Sequence, residues 1–88
     1  MKKFRLVISS PEGNIFDDDI ENISLRGSQG SLAIMAGHIP FMTDVVPCEV
    51  SIDNGDDIIT GKTDTGLLTV TSEKVTLLSG SFEFNEET

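Results

Sequence analysis

The sequence predicts an all-β fold, an antiparallel β-sandwich or barrel, on three observations. Apolar residues recur at every second position in short runs along the whole chain, the spacing that puts side chains on one side of a pleated strand. Thr, Val and Ile are frequent within these runs, as strands favour. Turn-forming residues divide the runs at close intervals, the pattern of consecutive antiparallel strands.

Taken in order, Phe4, Leu6 and Ile8 share one face of a first strand, with Arg5 and Ser9 opposite. Pro11-Glu12-Gly13-Asn14 ends that strand in a turn. Asp17-Asp18-Asp19 reads as a solvated turn between strands rather than a cation site. Ile23 and Leu25 repeat the alternation. Residues 27–43 are too irregular for one helix and too apolar for a solvated loop, so they are expected to shape a contact surface. Within them only residues 32–36 resemble a helix fragment, too short to stand alone. Gly27 and Gly30 are expected to supply positive φ in a loop.

Val50 and Ile52 form the next alternating pair, followed by Asn54-Gly55. That dipeptide signals a two-residue hairpin turn, in which both central positions want positive φ. Leu68 with Val70, Val75 with Leu77, and Phe82 with Phe84 continue the period of two. Thr65-Gly66, Ser72-Glu73-Lys74 and Ser79-Gly80 are the turns between them. The polar tail Asn85-Glu86-Glu87-Thr88 is expected to fray.

The 88 residues fit a single domain, 1–88, with a thin core. Fifteen acidic against six basic residues give a formal net charge of −9. That field repels phosphate backbones and anionic lipid head groups, which argues against nucleic acid and favours cationic partner surfaces. No apolar run approaches a membrane span, so direct membrane insertion is not expected. Cys48 is the single cysteine, which excludes an intrachain disulfide and suits a reducing, cytoplasmic interior.

Catalytic signals are missing. One His and one Cys make a zinc site unexpected. The acidic residues of Asp53-Asn54-Gly55-Asp56-Asp57 lack the spacing and distal glutamate of a calcium loop. No nucleophile elbow occurs, and Gly27-Ser28-Gln29-Gly30 is not followed by the Gly-Lys-Ser/Thr of a phosphate loop. No metal, cofactor, small-molecule substrate or catalytic residue is therefore expected. The run Ile39-Pro40-Phe41-Met42, with Val45-Val46 nearby, does not alternate. It reads as a partly exposed partner patch in preference to core filling. His38 reads as a turn cap or a contact residue, and Ser10 as a turn cap.

From about Phe4 to about Phe84 the sequence resembles the N-terminal domain of the epsilon subunit of bacterial F-type ATP synthase. Four blocks carry the resemblance in order: residues 6–16, residues 20–25, Gly27-Ser28-Gln29-Gly30-Ser31-Leu32-Ala33-Ile34 followed by Gly37-His38-Ile39-Pro40, and Gly66-Leu67-Leu68-Thr69-Val70 with Val75-Thr76-Leu77-Leu78. The resemblance implies a sandwich of two roughly five-stranded sheets. It implies a non-catalytic rotor subunit of the central stalk, peripheral on the cytoplasmic face of the membrane, coupling rotation of the c-subunit ring to ATP synthesis. Its implied contacts are with the gamma subunit through Ser10, His38, Ile39, Pro40, Phe41, Met42 and Thr43. The c ring is implied to meet Ser28, Gln29, Gly30 and Ser31.

Some positions depart from that family. Ala36 stands where proline is common, Ile39 where alanine is, and Cys48 where glycine follows the proline. The loop at 28–31 has no carboxylate of its own, so its contact is expected to rest on neutral hydrogen bonds, weaker than charge-assisted ones. The C-terminal helical hairpin usual in the family has no counterpart in this sequence, so its regulatory role is not implied. A stand-alone sandwich reused as a binding module is the alternative reading, and a small enzyme or phosphocarrier using His38 is a third.

Overall fold

A computed structural model describes residues 2–37 and 39–85 and contains ten strands. They are β1 (Phe4–Ser10), β2 (Gly13–Ile20), β3 (Asn22–Gly27), β4 (Gly30–Met35), β5 (Phe41–Val45), β6 (Cys48–Asp53), β7 (Ile58–Thr63), β8 (Gly66–Val70), β9 (Lys74–Ser79) and β10 (Phe82–Phe84). Hydrogen bonding runs through the strands in the order β10-β7-β6-β3-β5-β8-β9-β1-β2, with β4 on β3. The path folds back where β3 and β5 share one residue pair, Gly27 with Val45. That fold-back gives two layers of five: β4, β3, β6, β7 and β10, against β5, β8, β9, β1 and β2.

Alternation decides which residues meet between the layers. Phe4, Leu6, Ile8, Ile23, Leu25, Val50, Ile52, Leu68, Val70, Val75, Leu77 and Phe82 are all buried there. Ile20, Ile34 and Val45 join them. Phe84 sits at the rim with its ring centroid 5.0 Å from that of Phe82 and 6.0 Å from that of Phe16. These aromatic contacts bring the edge strands β2 and β10 together without backbone pairing between them. One polar pair crosses the core. The hydroxyls of Thr63 on β7 and Ser79 on β9, both buried, lie 2.7 Å apart.

Four local expectations are corrected. Asp17, Asp18 and Asp19 are not a turn; they lie within β2, paired to β1. β2 is an edge strand with a solvated side, so carboxylates are tolerated, and Arg5 grips Asp17 in two hydrogen bonds of 2.8 and 2.7 Å. Residues 32–35 are strand, not helix: β4 pairs with β3 throughout its length. Leu32 and Ile34 face inward, but the exposed neighbours Ala33 and Met35 are also apolar, which hides the period of two. Gly27 lacks positive φ, whereas Gly30 has φ of 128°. Gly27 is needed for closeness instead, because an added Cβ would lie 3.0 Å from the Asp44 carbonyl oxygen. The Asn54-Gly55 hairpin is a four-residue loop, in which Asn54 Oδ1 accepts the amides of Asp56 and Asp57 at 2.9 and 2.8 Å. Only Gly55 has positive φ there.

The sheet is also not wholly antiparallel, because β1 lies parallel to β9. Asn85, placed in the frayed tail by the sequence, donates its amide to Thr60 at 2.9 Å, and residues 86–88 lie outside the described residues.

Candidate interaction surface

The strand register splits the expected apolar run across two faces. Phe41 and Thr43 pair with Val70 and Leu68, both core residues, and so share the inner side of β5. Met42 and Asp44 point the other way. Ile39 and Pro40 precede the strand and are exposed. Ile39 and Phe41 help line a hollow of about 360 Å³ with Met35 and Gly37 at one end of the domain. His38 lies outside the described residues.

Ser10 is at the opposite end, in the turn from β1 to β2. Its Oγ accepts the Glu12 amide at 3.2 Å, so the serine caps the turn. Ser10 and residues 39–41 thus share no local cluster. What joins them is the outer face of β5, β8, β9 and β1. Along it Met42 pairs with Thr69, which pairs with Thr76; Asp44 pairs with Leu67, which pairs with Leu78, which pairs with Ser9.

Met42, Leu67 and Leu78 are exposed on this face. A shallow depression of about 480 Å³ runs beside Leu67 and Leu78, walled by Ser10, Pro11 and Gly66. Leu67 and Leu78 are contact candidates that reading the sequence for alternation passed over. Their signal was the doublets Leu67-Leu68 and Leu77-Leu78: on a strand, one leucine of each doublet must face out.

The loop Ser28, Gln29, Gly30, Ser31 is fully exposed and turns through the positive φ of Gly30. Ser28 Oγ donates to Asp44 Oδ1 at 2.7 Å. The neutral loop therefore does have a carboxylate beside it, brought from β5 by the single β3–β5 pairing.

The titration shifts that stand out belong to the surface pair of Arg5 and Asp17. The hydrogen bonds from Arg5 hold the Asp17 carboxyl below the usual carboxylate range, and Asp17 raises Arg5 in turn. Among the described residues no three His, Cys, Asp or Glu side chains converge as metal ligands, and no helix is long and apolar enough to cross a membrane. The arrangement offers an apolar face bordered by hydrogen-bonding groups, which is equipment for binding.

Residues 3–85 match the family described as "ATP synthase, Delta/Epsilon chain, beta-sandwich domain". The ATP synthase epsilon chain of Clostridium perfringens (strain SM101 / Type A) is 34% identical over 89 residues, covering 99% of this chain and 66% of the relative. The ATP synthase epsilon chain of Bacillus thuringiensis (strain Al Hakam) is 31% identical over 83 residues, covering 94% and 62%. This chain thus spans slightly less than two thirds of the length of these relatives.

Among solved structures, a chain of the Euglena gracilis mitochondrial ATP synthase (OSCP/F1/c-ring in rotational state 1) superimposes with a TM-score of 0.86 at 15% identity, covering 93% of this chain and 53% of that one. A chain of the Tetrahymena thermophila mitochondrial ATP synthase central stalk/c-ring does so with 0.81 at 12%, covering 93% and 66%. At such identities the likeness shows a shared fold.

Proposed function

The chain belongs to the ATP synthase delta/epsilon chain β-sandwich family, and from that membership we propose that it is a non-catalytic rotor component of the central stalk of an ion-translocating ATP synthase. In this reading the gamma subunit packs on the outer face of β5, β8, β9 and β1, which carries Met42, with Ser10 at one end and Ile39, Pro40 and the partly exposed Phe41 at the other; His38 and Thr43 complete the gamma contacts that the resemblance implies. The c-subunit ring meets Ser28, Gln29, Gly30 and Ser31. The domain is peripheral, on the cytoplasmic side of the membrane.

The observation that carries this reading is the contiguity of Met42, Leu67 and Leu78 on one solvent-exposed face. Three large apolar side chains contributed by three different strands have no role in the core, and contiguous exposed apolar surface marks a partner site. The loop at 28–31 adjoins that face through Asp44, so one rigid body presents two adjacent surfaces.

The mechanism is passive coupling. Each elementary charge crossing the membrane releases about 2.3 kcal/mol per 100 mV. That work reaches the catalytic head only if ring, sandwich and gamma turn together. A close-packed interior deforms little and transmits strain. Durable joints of this kind bury upwards of about 2,000 Å² in total, about 1,000 Å² of it on each partner, so each joint engages a whole face of a domain this size.

Affinity capture of the tagged chain from its native membranes tests the reading. Gamma and the c ring should be recovered together with it. Absence of both, with the synthase otherwise intact, refutes it.

A further inference from the structure

We infer that Asn54 is a latent site of covalent modification, a spontaneous deamidation that the folded β6–β7 hairpin holds back and that proceeds when the hairpin opens. An asparagine followed by glycine, as at Asn54-Gly55, suits this reaction because the second residue has no side chain to obstruct ring closure. The Gly55 backbone nitrogen, losing its proton, bonds to Asn54 Cγ. The Cγ–Nδ2 bond breaks and ammonia leaves. Water then opens the cyclic imide at either carbonyl, giving aspartate or, with the main chain rerouted through the side chain, isoaspartate. Amide and water become acid and ammonia, so the step draws on nothing but solvent. The inference is independent of the rotor reading.

The folded loop opposes the movements this reaction needs. Gly55 N–H donates to Asp53 Oδ1 at 2.9 Å. A carboxylate is far too weak a base to take a peptide proton, so this contact restrains the nitrogen instead of activating it. Asn54 Oδ1 accepts the amides of Asp56 and Asp57, and the Asn54 amide donates to the Asp57 carbonyl at 3.1 Å. Ring closure loses the Gly55 bond outright and draws Cγ, with its oxygen, off the amides of Asp56 and Asp57. The tip is also buttressed from outside. A Cβ on Gly55 would lie 2.8 Å from Glu21 Oε2, and the Glu21 amide donates to the Asp53 carbonyl at 2.7 Å. Reaction therefore runs from the locally opened hairpin, at a rate scaled by the fraction of time spent open. The product is not neutral for the fold. Isoaspartate lengthens the main chain next to the Asp53–Ile58 pair that closes the β6–β7 ladder.

The test ages the full chain at neutral pH, folded in buffer and unfolded in guanidinium chloride. Peptide mass spectrometry follows Asn54, and isoaspartyl methyltransferase labelling identifies the rearranged product. Deamidation should be about thirtyfold slower in the folded chain, which corresponds to about 2 kcal/mol of local opening. Folded Asp53→Ala should deamidate about fivefold faster than wild type, as loss of one hydrogen bond implies, and at the wild-type rate in denaturant. Asp53→Asn, which keeps an oxygen for the Gly55 amide, should stay near wild type, and thermal melts check that both variants fold. Hydrogen exchange of the wild type reads the latch without any substitution: the Gly55, Asp56 and Asp57 amides should be protected. Equal rates folded and unfolded overturn the inference, as does free exchange of those three amides. A folded Asp53→Ala that ages no faster than wild type overturns the latch, and an Asn54 that stays intact in denaturant overturns the site itself.

Discussion

Truncating Met42, Leu67 and Leu78 together to alanine should weaken gamma binding by thirty- to a hundredfold while leaving the fold intact. The magnitude follows from what each side chain still shows to water. Met42 is 64% exposed, Leu78 48% and Leu67 36%. Full burial of a leucine or methionine side chain stabilises by about 1.5–3 kcal/mol. Completing the burial of these three, less the β-carbons that alanine keeps, therefore comes to about 2–3 kcal/mol, at about 1.4 kcal/mol per tenfold in affinity. Titration calorimetry of the variant against isolated gamma measures the loss, and a thermal melt checks the fold. The melt should stay cooperative but shift to lower temperature, because none of the three belongs to the buried core cluster yet each is already partly covered by the domain. Leu78→Asp alone should match or exceed the triple variant, since docking would then bury an unpaired carboxylate. Binding within threefold of wild type in the triple variant would refute the assignment of this face.

Three further outcomes are expected. Gly66→Ala should destabilise the domain by about 1–3 kcal/mol or more, because a Cβ there runs into the Leu78 carbonyl across the β8–β9 ladder; Gly80→Ala, whose Cβ would have only the Thr65 carbonyl oxygen at 3.7 Å, should be near neutral, and denaturant melts compare the two. Ser79→Ala should cost about 1–2 kcal/mol, since it removes one of the two partners of the buried Thr63 hydroxyl and the side-chain acceptor of the Ser81 amide; urea unfolding at neutral pH measures it. The Arg5–Asp17 pair should add a small pH-dependent contribution. Because the Asp17 carboxyl is held below its ordinary value in the folded state, that contribution is complete above the ordinary carboxylate range and disappears as pH falls through the lowered folded value. An NMR titration should find the Asp17 midpoint displaced upward in Arg5→Gln.

The strands and most of the core were legible in the sequence. Leu6, Ile8, Ile23, Leu25, Val50, Ile52, Leu68, Val70, Val75 and Leu77 are buried as their alternation requires. Alternation failed where both faces of a strand carry apolar residues, as at Leu32-Ala33-Ile34-Met35, and where the buried face is largely polar or glycine, as on β7 with Gly61 and Thr63. The carboxylates of β2 misled for the opposite reason: turn chemistry is a local preference, and pairing to β1 overrode it. The candidate surface was half legible. Ser10, Ile39 and Met42 were visible in the chain, but Asp44, Leu67 and Leu78 were not seen as its companions.

The sequence by itself determined that the chain is all-β and which side of most strands faces the core. Direction relative to the strand is a property of adjacent residues, repeated every two positions. Only the tertiary structure decided which outward side chains are neighbours. The parallel pairing of β1 with β9, the union of Met42, Leu67 and Leu78, and the grip of Ser28 on Asp44 all join residues far apart in the chain. Such pairings are fixed by how all ten strands bury their apolar sides at once, and no local spacing encodes them.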